Sequence, residues 1–356
     1  MLYGILLLFP VDALLFHTGI YRKYLDPFSM AGWMSTMVWA CQFKVIDNTI
    51  AVIGDSRVAD GFSAKIANES GKPGEIKFSN IAVHGTSPRV WYYQLREIDP
   101  KANRFSTLAI MMPNYDDSGE GDLADRPRDI NYLVPYLHYS DVFTFVGSFT
   151  SSESKMHAAI CNILNGVGFK IDLLEFLANP KKRLDLVKLQ HYVWRTSNYN
   201  YAGHPETLKG LAPDPKEPGG LRFPADTTPE HKLHLQGYFN QITTSRPQDF
   251  VARYHTYWLG KILDRYRGSR TKIIVFEMPR GPLHYLKPQA PPNATLLNLQ
   301  VKYGFTILPP EAFGDCERPE FFSDFLHLNS VGRQRFSAEF APVLRRVAGA
   351  SLSATR

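Results

Sequence analysis

The segment Ile50-Ala51-Val52-Ile53-Gly54-Asp55-Ser56-Arg57 constrains the fold more than any other stretch of the chain. Its four consecutive apolar residues suit a strand covered on both faces, because a strand buried on one face alone would alternate apolar with polar residues. Gly-Asp-Ser then stops the run ahead of a helical stretch. A strand of this kind belongs in a sheet with helices on both sides, where the carboxyl ends of the strands open onto the ligand crevice. Ser56 therefore stands as a candidate nucleophile at a strand end. Gly-Asp-Ser is equally ordinary turn and N-cap chemistry, so its meaning depends on what accompanies it.

The rest of the chain continues the pattern. Strands are predicted at Ile50 to Gly54, Ile76 to Val83, Thr107 to Met112, Lys272 to Glu277 and Phe305 to Leu308. Helices are predicted at Val58 to Glu69, Pro88 to Ile98, Asp249 to Tyr266 and Ser330 to Val347. This alternation defines an α/β fold, three-layer α/β/α, around a five-stranded and mostly parallel sheet carried by residues 49–116 and 248–348. With 356 residues, 44% hydrophobic and 13% aromatic, the chain has ample material for a core. Residues 117–247 are far longer than a crossover needs and read as an insertion or lid subdomain. It has helical segments around Met156 to Leu164 and Ile171 to Leu189, and a loop-rich stretch from Asn198 to Pro229 of the kind that shapes a pocket. Residues 349–356 read as a C-terminal tail.

Lys and Arg outnumber Asp and Glu by 40 to 34, but the basic residues are scattered, which does not point to nucleic acid. Cys41, Cys161 and Cys316 are odd in number and widely spaced, so neither a disulfide framework nor a C-x-x-C site is expected. The amino-terminal run, residues 1–21, is apolar up to Phe16 except for Asp12, and Arg22 and Lys23 follow it. Two readings stay open: a membrane anchor, or a helix packed on the domain. The run is short for a span of about 20 residues, Pro10 interrupts it, and a carboxylate such as Asp12 costs roughly 2.5–3.5 kcal/mol at a helix centre. Read literally, the flanking charges place the following domain in the cytoplasm. Residues 22–48 form an aromatic-rich connecting segment.

A serine nucleophile needs a base within hydrogen-bond reach and a group to hold that base. Asp324-Phe325-Leu326-His327 supplies both within one turn, and Leu328-Asn329-Ser330 opens the final helix. Taken alone, it also fits a surface Asp-His pair ahead of a helix.

Taken in order, these blocks resemble the SGNH or GDSL hydrolase family. Gly54-Asp55-Ser56 is similar to its first block, Gly85 after the second strand to its glycine, Asn114 after the third strand to its asparagine, and Asp324-x-x-His327 to its last block. The third block departs from Gly-x-Asn-Asp, reading Met112-Pro113-Asn114-Tyr115-Asp116. Arg57 replaces the usual leucine, as in members that act on or O-acetylate cell-surface polysaccharides. The resemblance implies a flavodoxin-like sheet and serine acyl transfer without a cofactor. It assigns Ser56, His327 and Asp324 as nucleophile, base and orienting acid, with Ser56, Gly85 and Asn114 as oxyanion donors. An acylated carbohydrate is the implied substrate, which would set a membrane-associated domain on the extracytoplasmic side, against the flanking charges. Hydrolase and transferase remain open, as does a non-catalytic relative that binds a polysaccharide or an assembly partner.

Arg57, Arg280 and His284 are further candidates for contact with substrate, and His84 for the pocket. His231-x-x-His234 has metal-ligand spacing but no third ligand nearby, so no metal is expected. A Gly-x-Ser-x-Gly elbow and a phosphate-binding glycine loop are both absent from the sequence.

Overall fold

The computed structural model describes residues 9–44, 46–113, 115, 125–196, 203–217, 219–244, 249–284 and 290–353. Five strands form one sheet: β1 (Ile50–Ile53), β2 (Phe78–Asn80), β3 (Thr107–Met112), β4 (Lys272–Glu277) and β5 (Thr306–Ile307), in the order β2-β1-β3-β4-β5. Every pair in it is parallel, with Ile50 opposite Phe78 and Thr107, Thr107 opposite Lys272, and Ile274 opposite Thr306. Sequence periodicity alone locates β3 and β4 within their observed bounds. The predicted second strand is longer than β2, because Asn80 turns its side chain to the carbonyls of Val58 and Phe62 and ends the regular ladder. The amides of Ile81 and Val83 still bond to Val52 and Gly54, so this segment runs along β1 to its end.

The α-helices of six residues or more are α1 (Met30–Phe43), α2 (Ser56–Gly61), α3 (Ala64–Glu69), α4 (Pro88–Ile98), α5 (Pro127–Leu133), α6 (Val142–Gly147), α7 (Ser152–Ile163), α8 (Lys170–Ala178), α9 (Pro180–Thr196), α10 (Pro229–Thr244), α11 (Asp249–Tyr266), α12 (Ala294–Tyr303) and α13 (Ser330–Ser353). The single helix expected over Val58 to Glu69 is two, broken where Ser63 caps α3 by accepting from the amide of Ile66. α13 continues through Ser353, so most of the expected tail is helical. The segment expected to be a connector, 22–48, contains α1, capped by Ser29.

The chain divides into two compact units that do not follow the expected 117–247 boundary. The sheet unit comprises Ile46–Gly85, Ala102–Gly121 and Asn200–Arg356. Within it, Phe276 of β4 meets Phe340 of α13, and Phe340 also meets Phe62. Met112, one residue on from the partner of Phe276, points to the opposite face, where Leu259 of α11 and Leu296 of α12 lie beside it. Helices thus cover both faces of an all-parallel sheet, as its continuous apolar strands require.

The helical unit comprises Met1–Val45, Thr86–Lys101 and Asp122–Tyr199. Its interior holds a fully buried pair, Arg89 to Asp129 at 3.0 Å, joined by the Ser87 hydroxyl at 2.8 Å. Asp12 is buried here too, accepting the amides of Asn165 and Gly166. Among the described residues no helix is long and apolar enough to cross a membrane.

Candidate active site

β1 ends at Ile53, and the chain turns at once into α2. Gly54 makes this turn possible: a Cβ there would lie 2.4 Å from the Val58 side chain and 3.1 Å from Met111 Cβ. Asp55 is the N-cap, accepting from the Arg57 amide at 2.9 Å, which leaves Ser56 as the first helical residue. First-turn amides have no intrahelical partner, so the Ser56 N–H points out from the helix end.

The opposing loop is built just as locally. Asp324 Oδ1 accepts the amides of Leu326 and His327, both at 2.7 Å, folding the four residues into one tight turn. The Ser323 amide bonds back to the His327 carbonyl at 3.0 Å. Asn329 caps α13 by accepting from Gly332 at 2.9 Å, while its amide nitrogen holds the carbonyls of Glu320 and Phe322. The loop therefore enters the site already fixed at both ends.

These two turns meet within the sheet unit. His327 Nε2 lies 2.8 Å from Ser56 Oγ, and His327 Nδ1 lies 2.8 Å from Asp324 Oδ2. The carboxylate on the Nδ1 side assigns the proton there and leaves Nε2 to accept from the serine. Burial disfavours the imidazolium, but the hydrogen bond and charge of Asp324, with the charges of Asp60 and Asp55, hold the His327 pKa above its ordinary value. Burial likewise opposes charge on Asp324, yet the hydrogen bonds and charge of His327 hold its carboxyl below the ordinary range. The site is partly open, with the His327 side chain 21% exposed.

Gly85 has φ +66°, the left-handed region that favours glycine, and it follows the segment that runs along β1 to Gly54. Asn114 lies outside the described residues. Its neighbour Tyr115 is buried, with its amide donating to Glu277 and its hydroxyl to the Leu308 carbonyl at 2.9 Å. The tyrosine that interrupts the family-like block thus roots this strand end in the core.

Arg57 and Arg280, expected at the substrate, are both turned to carboxylates of the protein. Arg57 clamps Asp55 through Nε and Nη2, the latter at 2.8 Å. Burial works against charge on Asp55, but the charge and hydrogen bonds of Arg57 hold its carboxyl below the ordinary range. A bare carboxylate beside the Ser56 hydroxyl would disfavour negative charge there, and the Arg57 guanidinium offsets it. Arg280 makes a buried bidentate pair with Glu317, at 2.8 and 2.7 Å. His284 Nδ1 is 3.1 Å from the Tyr238 hydroxyl, which donates to the Arg280 carbonyl. Tyr238 also sets its ring 5.0 Å from that of Phe325, between the acid and the base.

Two residues near the triad, Asp60 and His204, have little or no signal in the sequence. Asp60 stands one turn after Ser56 on α2 and meets His84 Nε2 at 2.7 Å, the acid buried and the imidazole half-exposed. The i,i+4 spacing from Ser56 is the one clue to Asp60. His204 pairs along the backbone with Asn329, and its ring lies 6.5 Å from that of His327. His231 and His234 are exposed on α10, and no cluster suited to a metal occurs among the described residues. No protein-family model matches this chain, and no curated protein matches it.

Proposed function

We propose that this chain is a serine-dependent acyl-ester hydrolase or O-acyltransferase of the SGNH or GDSL type, acting on an acylated carbohydrate or cell-envelope polysaccharide. The observation that carries this reading is the unbroken hydrogen-bonded chain from Ser56 Oγ through His327 to Asp324, at the carboxyl end of β1. The strand order supports it: the chain steps one way from β1 to β2 and back past β1 to β3, the reversal at which flavodoxin-like sheets open a ligand crevice, and Ser56 stands at that end of β1.

In this mechanism Ser56 Oγ attacks the ester carbonyl as its proton passes to His327 Nε2, and the carbonyl oxygen becomes an oxyanion. The backbone amides of Ser56 and Gly85, with the Asn114 side chain, are assigned as its donors, and losing one such donor typically costs about 2.7–4 kcal/mol. Collapse expels the alcohol, which takes the proton from His327 and leaves an acyl-serine. Water or a sugar hydroxyl then gives its proton to His327 and attacks the acyl carbon; collapse breaks the bond to Ser56 Oγ, which takes the proton back from His327, and the carboxylic acid or the new sugar ester leaves. Asp324 holds the imidazole in the correct tautomer throughout and stabilises the imidazolium.

A fluorophosphonate probe tests this. Labelling of Ser56 and turnover of a short-chain aryl ester are expected in the natural chain, and loss of both in Ser56→Ala with an unchanged circular dichroism spectrum. A folded protein that takes no label and binds polysaccharide without turning over any ester would leave the crevice as a binding site only.

A further inference from the structure

The helical unit presents apolar side chains in a sense opposite to that of a water-soluble helix. α7 turns Ser154, Ala158, Cys161 and Asn162 inward and leaves Met156, Ile160 and Ile163 exposed, at the i, i+4, i+7 spacing of one face. α8 buries no side chain, and its Ile171 is 85% exposed with Leu174 and Leu177 beside it. Phe143 of α6, which packs on α7, is 89% exposed.

The amino-terminal segment lies on the turn between α7 and α8. Asp12 accepts the amides of Asn165 and Gly166 at 3.2 and 2.7 Å, and Phe16 stacks on Phe169. With these two turned in, Val11, Leu14 and Leu15 are left exposed. The sequence ahead of them, Met1 to Leu8, carries no charge. Exposed lysines, Lys155 and Lys170, stand directly before Met156 and Ile171.

We propose that this face docks on the surface of a lipid bilayer, with its aliphatic side chains in the headgroup region and its lysines among anionic headgroups. Aliphatic side chains with lysine beside them are the composition of an interfacial helix face. Protein hot spots lean instead on Trp, Tyr and Arg. Asp12, the one acidic residue of the amino-terminal run, is buried and turned inward by its hydrogen bonds, away from such contact. The inference does not depend on the acyl-transfer reading, since none of these residues belongs to the triad.

Flotation of the full chain with phosphatidylcholine vesicles, with and without phosphatidylglycerol, tests it. The natural chain is expected to float with vesicles, more strongly with the anionic lipid. Phe143→Glu/Ile171→Glu/Leu174→Glu is expected to lower partitioning at least about tenfold. Ile171→Ser/Leu174→Ser provides a milder variant with a smaller loss, and a thermal melt of each establishes that the fold is kept. Three results would overturn the proposal: a natural chain that stays with the soluble fraction, folded variants that float as well as it does, or a dimer in sedimentation that the triple variant dissociates. The last would make a second copy of the chain the occupant of this face.

Discussion

In the sheet unit, polar and charged groups are drawn inward around Ser56. Asp55 is held by Arg57, Asp60 by His84, Asp324 by His327, and Glu317 by Arg280. In the helical unit the displacement runs the other way, with Phe143, Ile171 and Leu174 outside while Arg89 and Asp129 lie wholly within. Buried polar groups and exposed apolar patches are the informative departures from ordinary burial, and each unit carries one. What separates them is that the inward groups of the sheet unit converge on one partly open hydroxyl, whereas the Arg89 pair is closed on all sides. A buried ion pair by itself is therefore no sign of chemistry. Convergence on an accessible hydroxyl is what the proposed function rests on.

The largest effect expected from breaking this convergence is that of Ser56→Ala. It should lower kcat on an activated ester by about 10⁶, with the melting temperature little changed. Asp324→Asn leaves the imidazole without its orienting carboxylate and should lower kcat by about 10⁴, measured on the same ester. Next come the two arginine pairs, which sharpen the contrast between the units. Arg89→Met strands Asp129 in the interior and should cost about 3–5 kcal/mol in chemical denaturation without changing kcat per folded molecule. Arg57→Met strands Asp55 and should cost stability as well, but here kcat falls too, because the unpaired carboxylate opposes the oxyanion; an unchanged kcat would remove the electrostatic role given to Arg57.

The pH profile gives a smaller effect. His327 must be neutral to take the serine proton, and its pKa lies above its ordinary 6.5, so kcat/KM should rise with pH through a limb above that value. In Asp324→Asn the limb should move to lower pH, since the largest raising cause is gone while the charges of Asp60 and Asp55 remain. Stability runs in the opposite sense for the base: the contribution of His327 is fully present below about 6.5 and is lost as pH rises through its folded pKa. That of Asp324 is present above about 3.9 and is lost as pH falls through its folded pKa. The smallest effect belongs to Ile171→Ser, which should change stability in water by no more than about 0.5 kcal/mol, because the side chain is exposed.

Legibility in the sequence followed locality. β3, β4, α4 and α11 stand where strong periodicity put them, since each is decided by a single continuous apolar pattern. The turn from Asp324 to His327 was readable for the same reason: acid and base are near neighbours in the chain. Residues whose partners lie far along the chain were not readable. Arg280 was expected at a substrate because it follows the fourth strand, and nothing local pointed to Glu317; His84 gave no hint of Asp60, which comes to it from a different connection of the sheet. The start of α2 was placed two residues late, and that hid Asp60, which shares a helix face with Ser56 only when the helix begins at Ser56 itself.

The sequence by itself determined the class of fold and the identity of a candidate nucleophile, acid and base, because strand burial, turn chemistry and a one-turn Asp-His spacing are local properties. It left Gly54-Asp55-Ser56-Arg57 as a strand end beside an arginine expected to contact substrate. Only the tertiary structure decided that Ser56 Oγ lies 2.8 Å from His327, and that Arg57 folds back on Asp55. It also decided that the amino-terminal run is tied down through Asp12 to the helical unit. The reason is the same in each case. Hydrogen bonds and ion pairs are set by distances of a few ångströms, and those distances exist only once sheet order and helix packing bring remote segments together.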